Sequence, residues 1–171
     1  NVKGFSRYNV KQIIVGMIEA FANSWSQFVT GYVNWYIVGP AGSGKTTIAR
    51  NIGPILAAMG ILVFGNFFIE SRSTLVGEVV GETAIKTRGK LIRALENVMF
   101  IDEAYAVAKG GAGGQKFDQF GRESLDEIVG FLDKHQGEIS VIVAGYECDM
   151  KTYFLGANEG LSRRFPAKYQ L

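Results

Sequence analysis

The sequence holds one cysteine (Cys148), one histidine (His135) and three prolines. A lone cysteine excludes an internal disulfide and a cysteine-built zinc site. A lone histidine argues against histidine-rich metal centres and a Ser-His-Asp triad. This usage fits a soluble chain in a reducing, intracellular setting. Charge of one sign is scarce as well: 18 Lys and Arg face 16 Asp and Glu, a formal net charge of +2. No basic stripe interleaved with aromatics occurs, so nucleic acid is not an expected partner. A membrane span is also missing. Residues 20–44 are uncharged but include Asn23, Ser24, Ser26, Gln27, Thr30 and Asn34, too many polar groups for lipid. Residues 51–69 are interrupted by Gly53, Pro54, Gly60, Gly65 and Asn66. They read as the end of a buried helix followed by a buried strand. The first residues form no basic-then-apolar leader with a cleavage site.

The 171 residues make one domain, and 47% hydrophobic against 20% charged composition supports a real core. Glycine, at 22 residues, is about twice its usual share. With so little proline, that points to tight turns and close backbone approach to a ligand. Val10, Ile13, Ile14, Met17, Ile18 and Phe21 repeat at helical spacing after Asn9, so residues 1–33 read as a linker and helix. Strands are expected at 34–38, 67–70, 98–101, 139–144 and from 167 onward. Helices are expected at about 45–59, 82–96 and 118–135. Lys86, Lys90 and Arg93 share a face of the second of these, with Glu82 one turn earlier, and read as a solvated face. Alternating strands and helices predict an α/β fold: a parallel sheet of about five strands with helices on both faces.

Residues 39–46 match G-x-x-x-x-G-K-[ST] in full, between an expected strand and an expected helix. Gly39, Pro40, Ala41, Gly42, Ser43 and Gly44 would wrap their N–H groups around phosphates, with the helix dipole behind them. Lys45 would reach the β- and γ-phosphates, Thr46 would hold Mg²⁺, and Thr47 continues the turn. Asp102 and Glu103 follow the apolar run 98–101. A carboxylate there can hold Mg²⁺, and a second can polarise an attacking water, which assigns Asp102 to metal and Glu103 to catalysis. ATP and Mg²⁺ are the implied cofactors.

Residues 39–47, the stretch Val98-Met99-Phe100-Ile101-Asp102-Glu103-Ala104 and the stretch Val141-Ile142-Val143-Ala144-Gly145-Tyr146 resemble the Walker A, Walker B and sensor-1 segments of AAA+ ATPases. Residues 75–83 (LVGEVVGET), the stretch FIDEAY, the Ala-Gly-Tyr ending and residues 158–165 (NEGLSRRF) are similar to the red-type Rubisco activase and sporulation protein K group. The resemblance covers about residues 4–171. It implies that 1–171 is the large, nucleotide-binding AAA+ subdomain, without the small helical lid. It implies an arginine finger at Arg164, with Arg163 standing where that group usually has Ser, so the sequence does not separate the two. A finger acting on a neighbour implies a homo-oligomeric ring, usually hexameric, and a remodelled protein substrate. The resemblance further implies an adenine-pocket role for Gly4 and Phe5 and a sensor role for Tyr146. Val79 stands where the first pore loop usually has an aromatic, a departure that weakens polypeptide threading.

The leading reading is therefore a Mg-ATP hydrolase that remodels a protein. A small-molecule kinase with the same phosphate loop would need neither Asp102-Glu103 nor the distal arginines. A ring component that binds nucleotide with little turnover is a further alternative. Gly110 to Gly114 reads as a flexible surface loop, His135 as a surface residue, and Cys148 has no base beside it.

Overall fold

A computed structural model describes residues 31–79, 81–110 and 116–171, with Val15 before them. The expected N-terminal helix and the pair Gly4 and Phe5 lie outside the described residues, as does most of the 110–114 glycine run. Five strands, β1 (Trp35–Val38), β2 (Phe67–Glu70), β3 (Val98–Ile101), β4 (Ser140–Gly145) and β5 (Ala167–Gln170), form one sheet in the order β2-β3-β4-β1-β5. Every pairing is parallel. The helices are α1 (Lys45–Ala58), α2 (Arg72–Leu75), α3 (Glu82–Arg93), α4 (Tyr105–Ala108), α5 (Gln119–Lys134), α6 (Glu147–Asp149) and α7 (Leu161–Arg164). A π turn (Met150–Phe154) and a 3₁₀ turn (Leu155–Ala157) follow α6.

The central strands are unbroken apolar runs because both faces of the sheet are covered. Trp35, Ile37, Val98, Phe100, Ile142 and Ala144 point to one side, where Ile48, Ala49, Ile52 and Leu56 of α1 pack. Tyr36, Val38, Met99, Ile101, Val141 and Val143 point to the other and meet Leu91 of α3 and Leu125, Ile128 and Leu132 of α5. Each fully buried Leu, Ile or Phe contributes roughly 1.5–3 kcal/mol relative to exposure. Burial also pushes the Tyr36 phenol up to about 12, ahead of the nearby Glu147 carboxylate.

Two expectations need correction. Strand β2 is not buried. It is an edge strand, with Phe67 and Phe68 half-covered and Ile69 53% exposed. The cationic face of α3 is only partly solvated: Arg93 is exposed, while Lys86 and Lys90 are half-buried. Lys86 Nζ donates to the carbonyls of Ser73 and Val76, both at 3.0 Å. Lys90 Nζ pairs at 3.2 Å with Glu70, which is buried at the end of β2, and the Arg93 guanidinium lies 4.7 Å from the Phe68 ring centre. Long cationic stems cover the exposed β2 flank while their heads find fixed acceptors. Helix α3 also stops at Arg93 rather than at Glu96, whose backbone turns to φ 61. Elsewhere Asp118 caps α5 by accepting from Gly121 N at 2.6 Å and takes Arg72 Nη2 at 2.9 Å. Arg72 also reaches the Ala106 and Val107 carbonyls, so α2, α4 and α5 are tied at one point.

The inner face of α1 approaches the β2 entry loop at Gly53, where a Cβ would overlap the Gly65 carbonyl oxygen; Gly65 itself has φ +66. Gly53→Ala is therefore expected to destabilise by about 1–3 kcal/mol. Gly89→Ala, on exposed α3 with open space at the Cβ position, should stabilise by roughly 0.5–1 kcal/mol. Urea midpoints of the two variants should move in opposite directions, and equal shifts would contradict this packing.

Candidate active site

Between β1 and α1 the chain reverses over residues 39–44. Gly42 and Gly44 adopt φ 72 and 95, a left-handed geometry that glycine reaches without a steric penalty. Gly44 is the N-cap of α1, contributes no side-chain hydrogen bond, and is followed by no acid in the first helical turn. The first N–H groups of a 14-residue helix thus lack intrahelical partners and carry the positive end of its dipole. Lys45, 7% exposed, donates from Nζ to the carbonyls of Gly39 and Pro40, both at 2.9 Å. Its ammonium also stands 5.4 Å from the centre of the Tyr146 ring.

The opposite wall comes from the end of β3. Glu103 has φ 50, an uncommon backbone for a non-glycine residue. Its N–H is held at 3.1 Å by Asp102 Oδ1, and the next N–H, of Ala104, donates to Ala144 O on β4 at 2.9 Å. Residues 41–47, Asp102 and Glu103 line one cleft of about 400 Å³. Among the described residues, Ser43 Oγ and Glu103 Oε2 are buried without a hydrogen-bond partner. Such orphaned polar atoms carry a desolvation cost that a bound polar group removes.

Sequence reasoning did not find Tyr105. Burial first, and the neighbouring Glu103 carboxylate next, raise its pKa far above the phenol range. The Tyr105 and Tyr146 ring centroids lie 6.2 Å apart. Tyr105, Tyr146 and Lys45 therefore form a chain of ring and cation contacts beside the cleft. The only trace in the sequence was a tyrosine two places after the catalytic candidate.

The donor set fits a polyphosphate and a divalent cation. Backbone N–H groups and Lys45 are donors for phosphate oxygens. The Thr46 hydroxyl and the Asp102 carboxylate supply hard oxygen ligands of the kind Mg²⁺ takes. The model for the ATPase family associated with various cellular activities (AAA) matches residues 35–159, most of the chain. The chain belongs to the AAA ATPases. It is 42% identical over 128 residues to the stage V sporulation protein K of Bacillus subtilis, covering 75% of this chain and 38% of that protein. It is 39% identical over 132 residues to the ESX-1 secretion system protein EccA1 of Mycobacterium tuberculosis, covering 77% of this chain and 22% of that protein. A similar match, 39% over 127 residues, is made to the ESX-3 secretion system protein EccA3 of Mycobacterium leprae, covering 74% of this chain and 19% of that protein. The chain thus spans well under half the length of these relatives. An AAA domain of this kind is a nucleotide-binding domain, and no helix among its described residues is long and apolar enough to cross a membrane.

The structure brings together the loop residues 39–47, Asp102, Glu103 and Tyr146, at the carboxyl ends of β1, β3 and β4. Arg163 and Arg164 are elsewhere. Their helix, α7, precedes β5, and the Arg164 carbonyl accepts from Asn34 Nδ2 just before β1, at 2.9 Å. That is the amino edge of the sheet, a strand length of roughly 13 Å from the loop edge. The AAA-matched residues end before this pair.

Lys45→Ala removes the one side-chain cation from the phosphate loop. ATP affinity is expected to fall by at least about 10–100-fold, the span of a lost charge-assisted bond. Fluorescent-nucleotide titration reads this, and unchanged affinity would remove the loop from the site.

Proposed function

We propose that this chain is the large nucleotide-binding subdomain of an oligomeric Mg-ATP hydrolase that remodels a protein partner in the cell interior. The observation that carries the hydrolytic part is Glu103. It is a strained carboxylate with one buried, unpartnered oxygen, walling the same cleft as Lys45. A group so placed can accept a proton from a water attacking the terminal phosphate. Lys45 and the α1 amides bind and align the β- and γ-phosphates, and Thr46 and Asp102 would hold Mg²⁺. When bound, the metal neutralises charge developing on the phosphate oxygens. A small-molecule kinase would have no use for a water-activating carboxylate at this position.

The oligomer is supported by topology. An arginine pair at the amino edge of the sheet lies away from its own cleft at the carboxyl edge, so a role for it in catalysis would be at a neighbour's nucleotide. A closed ring, hexameric by the family's habit, gives every cleft such a neighbour. The relatives, a sporulation protein and secretion-system proteins, fit work on protein assemblies. Val79 is 62% exposed, but it offers no aromatic ring to grip a threaded chain.

Glu103→Gln should retain ATP binding and lose turnover by on the order of 10²-fold or more. Normal phosphate release by this variant would give the site to binding without hydrolysis. The trans arrangement has a separate test. Lys45→Ala and the double variant Arg163→Ala/Arg164→Ala, each inactive alone, should restore part of the ATPase rate when mixed. Subunits shown to co-assemble but inactive at every mixing ratio would exclude a finger acting in trans.

A further inference from the structure

Helix α4 starts two residues after Glu103 and is a single turn. One helical turn does not hold itself together, because its nucleus fixes several residues for very few hydrogen bonds. Its closing carbonyls also lack donors within the helix. Here every one of them is claimed. Lys109 N donates to Tyr105 O at 3.0 Å, and Asp118 N donates to Ala108 O at 2.9 Å. The two carbonyls between them, of Ala106 and Val107, both accept from Arg72 Nη1, the first at 3.3 Å. Arg72 Nη2 pairs at 2.9 Å with Asp118 Oδ2, the oxygen that also caps α5 by accepting from Gly121 N at 2.6 Å. Gly121 lies so close to α4 that a Cβ there would stand 1.8 Å from Val107 O. At its other end the turn is bonded back to the catalytic candidate: Ala106 N donates to Glu103 O at 2.8 Å, and Val107 N to Ala104 O at 3.2 Å. Arg72 and Ala106 line, together with Asp102 and Glu103, a cavity of about 490 Å³.

We propose that Arg72 is a positioning residue for Glu103, acting through the carbonyls of α4. This rests on the reading of Glu103 as the proton acceptor. The left-handed backbone of Glu103, φ 50, persists only where its surroundings over-determine it. Toward β4 the turn is held by Ala104 N on Ala144 O. On the other side it leads straight into α4, and α4 takes its place from Arg72 and the cap of α5. The fork of an arginine suits this task. One terminal nitrogen covers two carbonyls while the other meets the Asp118 carboxylate, and a lysine ammonium cannot stand in both places. Val107 and Ala108 of α4 belong to the core on the α5 side of the sheet, whereas α1, which seats the phosphate loop, belongs to the core on the opposite side. A shift of α4 therefore displaces Glu103 and leaves the phosphate loop where it is. Arg72 governs turnover and not nucleotide affinity.

The test uses the full-length protein at concentrations where it assembles, with Arg72→Ala, Arg72→Lys, Glu103→Gln and the double variant Arg72→Ala/Glu103→Gln. Readouts are single-turnover ATP hydrolysis, fluorescent-nucleotide affinity and melting temperature. Arg72→Ala should lose about 10–100-fold in hydrolysis, up to what a displacement of about 1 Å can cost, with affinity within about twofold of the parent. Arg72→Lys keeps the charge beside Asp118 but not the hold on both carbonyls. It should lose at least about fivefold in hydrolysis while melting within a few degrees of the parent, and it carries the test if Arg72→Ala does not fold. In the Glu103→Gln background, Arg72→Ala should add less than about twofold, because a residue acting through Glu103 has nothing left to position. An arginine that only stabilises the fold would cut hydrolysis by the same factor with or without the carboxylate, and that result would overturn the proposal. So would parental hydrolysis by Arg72→Lys, or a loss of affinity in Arg72→Ala as large as its loss of hydrolysis. Full hydrolysis by Glu103→Gln would bring down the reading of Glu103 and the proposal with it. A dead Glu103→Gln beside a fully active Arg72→Ala would remove Arg72 alone and leave the hydrolytic site standing.

Discussion

Strand β4 is hydrogen-bonded on one side to β1 and on the other to β3, with all three running the same way. Parallel pairing leaves no choice about where their following loops emerge. The phosphate loop after β1, the Asp102-Glu103 turn after β3 and Tyr146 after β4 must meet at one edge. The order of strands reverses around this point, because the chain leaves β1 for the far edge at β2 and works back through β3 to β4. Such a reversal opens a crevice between diverging connections. The cleft is thus a product of strand order before it is a product of any side chain.

Burial on both faces makes that order hold. Alternate residues of β1, β3 and β4 feed two separate cores, and a slip of one residue in any strand would exchange the two sets. Helix α1 is seated by the same packing through Ile48, Ala49, Ile52 and Leu56. Its amino end, where a phosphate would sit, is therefore fixed by contacts one to three turns further along. The glycines of the loop can then do without side-chain contacts of their own.

Much of this was legible in the sequence. The apolar runs 98–101 and 139–144 announce strands covered on both faces, and the glycine-lysine-threonine stretch announces its own position between a strand and a helix. The legible features are local patterns with a fixed period or spacing. What was not legible depends on pairs far apart in sequence. Nothing near Glu70 shows that Lys90 would neutralise it, so the cations of α3 read as solvated when they in fact cover the edge strand. Phe67-Phe68-Ile69 is as apolar as a central strand, and only the sheet order makes it peripheral. Asp133 and Arg164 meet because α5 and α7 pack together, a pairing that no local pattern announces. Tyr105 was hidden for a different reason: its importance lies in the turn at Glu103, whose left-handed backbone no residue type betrays.

The self-satisfied state of Lys45 bears on what an affinity for nucleotide would mean. Its ammonium already holds two carbonyl oxygens of the loop it belongs to, and its charge already lies against an aromatic face. An incoming phosphate does not meet a bare cation; it must outcompete a neutralised one. The loop's shape is supported by its own lysine, and binding a phosphate there would exchange these bonds for others. A lysine with acceptors inside its own loop could return to them as a phosphate leaves, and would then serve departure as well as capture.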